Sequence, residues 1–216
     1  MWRRLFLHLG AWALVAGLVT AQPRPAAAHP HVWVVMRSEL VYAPDGTLTG
    51  IRQNWTFDEA FSAFALQGLA KQADGTYGDD VLKPLAELNI SSLKEFDYFV
   101  TAKTATSKIP LKDPVDYYLT YGDDALTLHF TLPLARPLPA RGMVSIDIYD
   151  PTYFVAFEFA QTRPAKLLDA PAGCTENVIV PAQKATTQLS ESFFENLTQA
   201  NNFSMQMADK IVVKCP

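Results

Sequence analysis

From Leu126 to Leu132 the chain alternates without a break: Leu126, Leu128, Phe130 and Leu132 are interleaved with Thr127, His129 and Thr131. A period of two places one set on each face of an extended strand, a separation that a helix cannot make. Such a strand is half-buried, so it needs neighbours in a sheet and a second layer over its apolar side. The same pattern recurs. Val32 to Met36 continues into Glu39-Leu40-Val41-Tyr42, Pro44-Asp45-Gly46 supplies turn chemistry, and Leu48 to Phe57 returns, which predicts a hairpin. Further strands are expected at Tyr98-Phe99-Val100, Lys108 to Leu111, Val115 to Tyr121, Val144 to Ile148 and Tyr153 to Phe159. Gly122-Asp123-Asp124 reads as a turn and Pro133 to Pro139 as a proline-rich connection.

Between the first hairpin and the later strands the period changes. Asp58 is placed to cap a helix, and Phe61, Phe64, Ala65, Leu69 and Ala70 follow at helical spacing toward Asp74-Gly75. A second helix is expected from Asp79-Asp80 through Val81, Leu82, Leu85 and Leu88, continuing after a break toward Phe96. A C-terminal helix is expected from about Leu189, anchored by Cys215. The fold class is therefore α+β: an antiparallel β-sandwich-like domain with a helical insert at about 58–96 and a C-terminal helix. No repeat or low-complexity linker divides it.

The N-terminus reads as a signal peptide. Trp2-Arg3-Arg4 is a short basic region, and Leu5 to Val19 is apolar but short for a membrane span of about 20 residues. Small residues follow it instead of a charged stop. Cleavage after Ala21 lies at the more usual distance from the apolar core; cleavage after Ala28 has the better small-residue run and is preferred. Residues 1–28 would then be the signal peptide and 29–216 one globular domain, large enough for its own core. That cut removes Arg3, Arg4 and Arg24 and no acid, so 18 basic and 22 acidic residues become 15 and 22, and the formal charge moves from −4 to −7. A mildly acidic exported domain is a poor partner for nucleic acid, and after cleavage no segment is left to insert in a membrane. Cys174 and Cys215 are an even pair in an oxidising compartment and read as a structural disulfide; two thiolate metal ligands are the weaker alternative, because no C-x-x-C spacing supports them.

The preferred cut would expose His29-Pro30-His31 at the new terminus. An N-terminal histidine brings two nitrogens together, the α-amine and its own imidazole, and His31 adds a second imidazole. Pro30 has no amide hydrogen to lose, which blocks the square-planar site in which amide nitrogens join a third-position histidine. A brace-like site of His29 and His31 remains, open to His129 or to a carboxylate such as Asp58 or Asp150 as a further ligand. Nitrogen donors suit nickel, cobalt, zinc and copper. Against this stand the plainer roles: surface histidines, Asp58 as a helix cap, and Asp150 before Pro151 as a turn opener. Glycine-rich phosphate loops, G-x-S-x-G and H-E-x-x-H are missing from the sequence, which lowers the prospect of an enzyme.

Taken in order, His29-Pro30-His31-Val32-Trp33, Trp55-Thr56-Phe57-Asp58-Glu59, Asp150-Pro151-Thr152-Tyr153-Phe154 and Cys174 resemble a bacterial family of uncharacterised periplasmic proteins. That family is labelled the periplasmic component of an ABC-type transport system and is often encoded beside nickel/cobalt transporters. The resemblance implies the periplasm, a divalent transition metal with nickel or cobalt favoured, and a membrane metal transporter as partner. Three functions follow as expectations: a metal-binding accessory protein for such a transporter, a histidine-brace copper oxygenase, or a non-metal interaction or solute-binding module. The sequence leaves the oligomeric state open.

Overall fold

The computed structural model describes residues 31–152, 154–181 and 208–216. Eleven strands form two sheets in this part of the chain. The first hairpin is β1 (Val32–Tyr42) and β2 (Thr47–Phe57), paired from Val34 opposite Phe57 to Tyr42 opposite Leu48. Its turn closes because Asp45 Oδ1 accepts hydrogen bonds from both the amide and the hydroxyl of Thr47 at 2.9 and 2.7 Å, while Gly46 takes φ +82°. The second hairpin is β5 (Val115–Gly122) and β6 (Ala125–Pro139), joined by Asp123 and Asp124, both in the left-handed region that a tight two-residue turn requires.

The first sheet runs β5-β6-β2-β1-β8, where β8 is Val155–Phe159; β9 (Ala165–Leu168) pairs with the remaining length of β1. The second runs β10-β11-β7-β3-β4: Thr175–Ile179, Asp209–Cys215, Gly142–Ile148, Val100–Thr104 and Lys108–Ile109. The alternation read from sequence governs the core. Met36, Leu40, Ile51, Trp55, Leu128, Phe130 and Leu132 face inward from the first sheet and meet Ile146, Ile148, Ile211 and Val213 of the second. Each such side chain contributes roughly 1.5–3 kcal/mol by burial, upper-bound figures because the unfolded chain already hides some apolar surface. Trp55 anchors this layer, meeting Phe130 and Phe157 edge-on at 4.9 and 4.8 Å.

Helices α1 (Glu59–Ala65) and α2 (Asp79–Leu93) form the expected insert, and α2 leads into a 3-10 segment, Lys94–Phe99. Asp58 is the cap of α1, accepting from the Phe61 amide at 2.9 Å. Ser62 docks this helix on the sheet: its Oγ accepts from the Leu126 amide at 3.0 Å.

Several sequence expectations are corrected. The first helix stops at Ala65, well before Asp74-Gly75, and Gly68 follows at φ +79°. The proline-rich stretch is not a separate connection but the second half of β6. A register shift between Leu48 and Gly50 of β2 lets it pass, and proline is tolerated at such irregularities. The sandwich is not wholly antiparallel: β1 pairs in parallel with both β8 and β9. The proposed C-terminal helix falls largely on residues 189–207, outside the described residues. From Asp209 the chain is a strand, β11, seated between β10 and β7 with Ile211 and Val213 in the core. Lys210, Ile211, Val213 and Lys214 carry a strand pattern too short to be decisive in sequence.

Cys174 and Cys215 are joined in a disulfide that ties the end of β11 to the approach to β10. Among the described residues no helix is long and apolar enough to cross a membrane. The disulfide is the mark of an oxidising, extracytoplasmic compartment.

Candidate metal centre

The end of the first sheet where β1 begins gathers three of the sequence candidates: His31, Asp58 and Asp150. His31 stands at the edge of the described chain, and His29 lies outside it. The His31 amide donates to the Phe154 carbonyl at 2.9 Å, and its exposed imidazole lies 4.8 Å from the Phe154 ring. The approach to β8 thereby holds the entry to β1 from one side.

Asp58 holds it from the other. While Oδ1 caps α1, Oδ2 accepts from the Trp33 amide at 2.8 Å, and the Asp58 amide donates to the Trp33 carbonyl at 2.9 Å. One side chain thus joins the end of β2, the start of α1 and the second residue of β1. Asp150 does the same work for the loop beside it. It is 3% exposed; Oδ1 accepts from the amide and hydroxyl of Thr152 at 2.8 and 2.7 Å, and Oδ2 from the Val155 amide at 2.9 Å. Every oxygen of the two carboxylates thus accepts at least one hydrogen bond, mostly from backbone amides. They brace the start of β1 and the loop beside it.

His129 is elsewhere. It lies in the middle of the outer face of the first sheet, opposite Asn54 on one side and Tyr118 on the other, and Arg37 lies opposite Asn54. Six residue steps lead from His31 along β1 to Arg37, about 20 Å of extended chain. His129 and His31 therefore cannot share an ion. Both nitrogens of His129 are also engaged: Nδ1 with Asn54 Oδ1 at 2.6 Å and Nε2 with Thr120 Oγ1 at 2.9 Å. The ring stacks on Tyr118 at 4.4 Å, and burial holds its pKa below the ordinary value of 6.5. Among the described residues no three histidine, cysteine, aspartate or glutamate side chains group as a metal cluster would require.

What the described residues place at this pole is the exposed His31 imidazole, set beside the Phe154 ring. What the sequence did not reveal is the surface around it. Trp33 and Val35, on the outer face of β1, and Phe154 are 48%, 43% and 47% exposed and form an apolar shoulder beside His31. Period-two alternation puts Trp33 and Val35 outward, a signal visible in sequence once Val34 and Met36 are assigned to the core. The Arg37–Asn54–His129–Tyr118 row left no such signal, since its members come from four strands.

Two curated proteins are similar to this chain. An uncharacterized protein of Haemophilus influenzae (strain ATCC 51907 / DSM 11121 / KW20 / Rd) is 26% identical over 195 residues, covering 87% of this chain and 91% of that one. An uncharacterized 15.5 kDa protein in the trpE 3' region of Spirochaeta aurantia is 27% identical over 94 residues, 44% of this chain and 67% of that one. A family model described as "Protein of unknown function (DUF1007)" matches residues 14–215, nearly the whole sequence, and the chain belongs to that family.

Proposed function

We propose that this protein is a periplasmic accessory protein that captures a divalent transition metal through its N-terminal histidines and exchanges it with a membrane metal transporter. Nickel or cobalt is favoured, with zinc and copper as the other candidates for the nitrogen donors. One observation carries the reading: the His31 imidazole is exposed at the pole of a rigid sandwich, two residues after His29, while the neighbouring carboxylates hold the pole in shape. Cleavage after Ala28 would supply the α-amine of His29 as a third nitrogen. An open set of this kind leaves coordination positions for water or for a partner's ligands, as transfer requires. The apolar shoulder of Trp33, Val35 and Phe154 is the surface such a partner would meet.

The geometry favours binding over oxygen chemistry by a histidine brace. A brace needs a facing imidazole, and His129 is both distant and committed to Asn54 and Thr120. The test is intact mass and metal titration of the exported protein. A mature chain beginning at His29 should bind one ion, and deletion of His29-Pro30-His31 or the H29A/H31A variant should abolish binding. A chain beginning at Gln22, or binding that survives both changes, overturns the reading. Because amine and imidazoles must shed protons to coordinate, affinity should fall as pH is lowered.

A further inference from the structure

The middle of the outer sheet face carries a second site, of opposite electrostatic character to the pole. A recess of about 290 Å³ opens there, lined by Arg37, Ser38, Glu39, Asn54, Thr162, Arg163 and Lys166. Its one acid is neutralised from outside the recess: Glu39 Oε2 accepts from Arg52 at 2.9 Å. Arg37, Arg163 and Lys166 make no ion pair among the described residues. Three uncompensated cations thus meet in one hollow of a chain in which acids outnumber bases 22 to 18.

Backbone architecture brings them together. Arg37 faces outward because Met36 and Ser38 face the core. The turn after β8 is docked on the same stretch of β1: the Ser38 amide donates to the Pro164 carbonyl at 3.0 Å, and Ala165 then pairs opposite Ser38. Arg163 sits at the head of that turn with φ +49°. A left-handed conformation is disfavoured for a residue with a Cβ, and doubly so before proline. Arg163 holds it beside Arg37.

Asn54 completes the lining, and His129 decides what it presents. Asn54 Oδ1 can only accept, so His129 Nδ1 is the donor in their 2.6 Å contact. In the neutral ring Nε2 is then an acceptor, which the Thr120 hydroxyl supplies with a proton at 2.9 Å. Tyr118, stacked at an interplanar angle of 11°, fixes the plane of the imidazole. With its oxygen so occupied, Asn54 turns its Nδ2 donors to other use, and no hydrogen bond among the described residues takes them. The recess therefore offers two guanidinium groups, an ammonium, an amide donor and the Thr162 hydroxyl.

We propose that this recess binds a small oxyanion carrying two or more negative charges, a carboxylate or phosphate compound, and that His129 is a positioning residue that orients Asn54 toward it. Guanidinium forks match the paired oxygens of both groups, and the volume suits a ligand of few atoms. The proposal is independent of metal binding at the pole.

Calorimetric and NMR titrations of the folded protein at low ionic strength, with inorganic phosphate and with citrate as separate probes, test it. Saturable one-site binding of either probe is expected, and the tighter one identifies the chemistry. R37A and R163A should each weaken it about tenfold or more, as loss of a charged hydrogen bond does. N54D should abolish it. The Asn54 Nδ2 resonances should move on titration in the wild type and in H129Q, which keeps an amide donor, but not in H129A. Lys214, exposed on the other sheet, is the control for general charge. Silence of both probes, a loss in K214A equal to that in R163A, or undiminished binding in N54D overturns the proposal.

Discussion

The pole at the start of β1 and the middle of the outer sheet face each hold a histidine, and the two histidines have opposite fates. His31 is exposed and packed at a tilt of 36° against the Phe154 ring. His129 is half-buried, stacked on Tyr118, and bonded through both nitrogens. At the pole two carboxylates are engaged by backbone amides beside an exposed imidazole. On the face an acceptor is consumed and hydrogen-bond donors remain. The lesson is that residue type alone does not make a ligand. What matters is which atoms the surrounding backbone and strands have left over.

Asp150 is where the pole depends most on a single side chain. Its carboxylate is buried and accepts three hydrogen bonds, so Asp150→Ala should cost about 3 kcal/mol, measured by urea unfolding. The loss should appear as well in faster amide exchange at Val155 and His31, with the His129 row untouched. A cost below about 1 kcal/mol would mean that the loop holds its shape without the carboxylate. Asp58→Ala should cost less, about 1–2 kcal/mol, since it removes the cap of α1 and the tether to Trp33 from a partly exposed site. Asp58→Asn should recover part of it, because the amide oxygen still caps. If Asp58→Ala left stability unchanged but weakened metal binding, Asp58 would be a ligand after all.

The smallest effect is a dependence on pH on the other side of the comparison. Burial lowers the folded pKa of His129 below 6.5, so the unfolded chain binds the proton more readily. The sign follows: the contribution is intact above pH 6.5 and is lost as pH falls from there through the folded value. Thermal melts of the wild type should therefore decline more steeply below pH 6.5 than melts of His129→Gln. Parallel slopes would show that the row tolerates the charged imidazole.

Much of the scaffold of these two regions was legible in the chain. The β1–β2 hairpin, the cap at Asp58, the strand through His129 and the Cys174–Cys215 pair all follow from interactions among residues close in sequence or from a single even pair of cysteines. Other features were not legible. That Asp58 and Asp150 brace the start of β1 and its neighbouring loop depended on amides contributed by Trp33, Phe61, Thr152 and Val155, donors that side-chain types do not announce. The first helix ended at Ala65, although its apolar spacing continued, because the short helix is held by its cap and by Ser62 on the sheet. The C-terminal strand escaped notice because its period is brief and its partners, β7 and β10, are distant or irregular in sequence.

By itself the sequence determined the alternation that commits the chain to layered sheets, the turn chemistry that closes its hairpins, and the placing of His29 and His31 after the apolar run Leu5 to Val19. These are local matters of sterics, period and covalent chemistry. Only the tertiary structure decided that β8 and β9 run parallel to β1, that His129 lies two strands across from Arg37 and well away from His31, and that Arg37 and Arg163 meet across a recess. Those outcomes depend on strand order and register, which are set by how the whole core packs and not by any one segment.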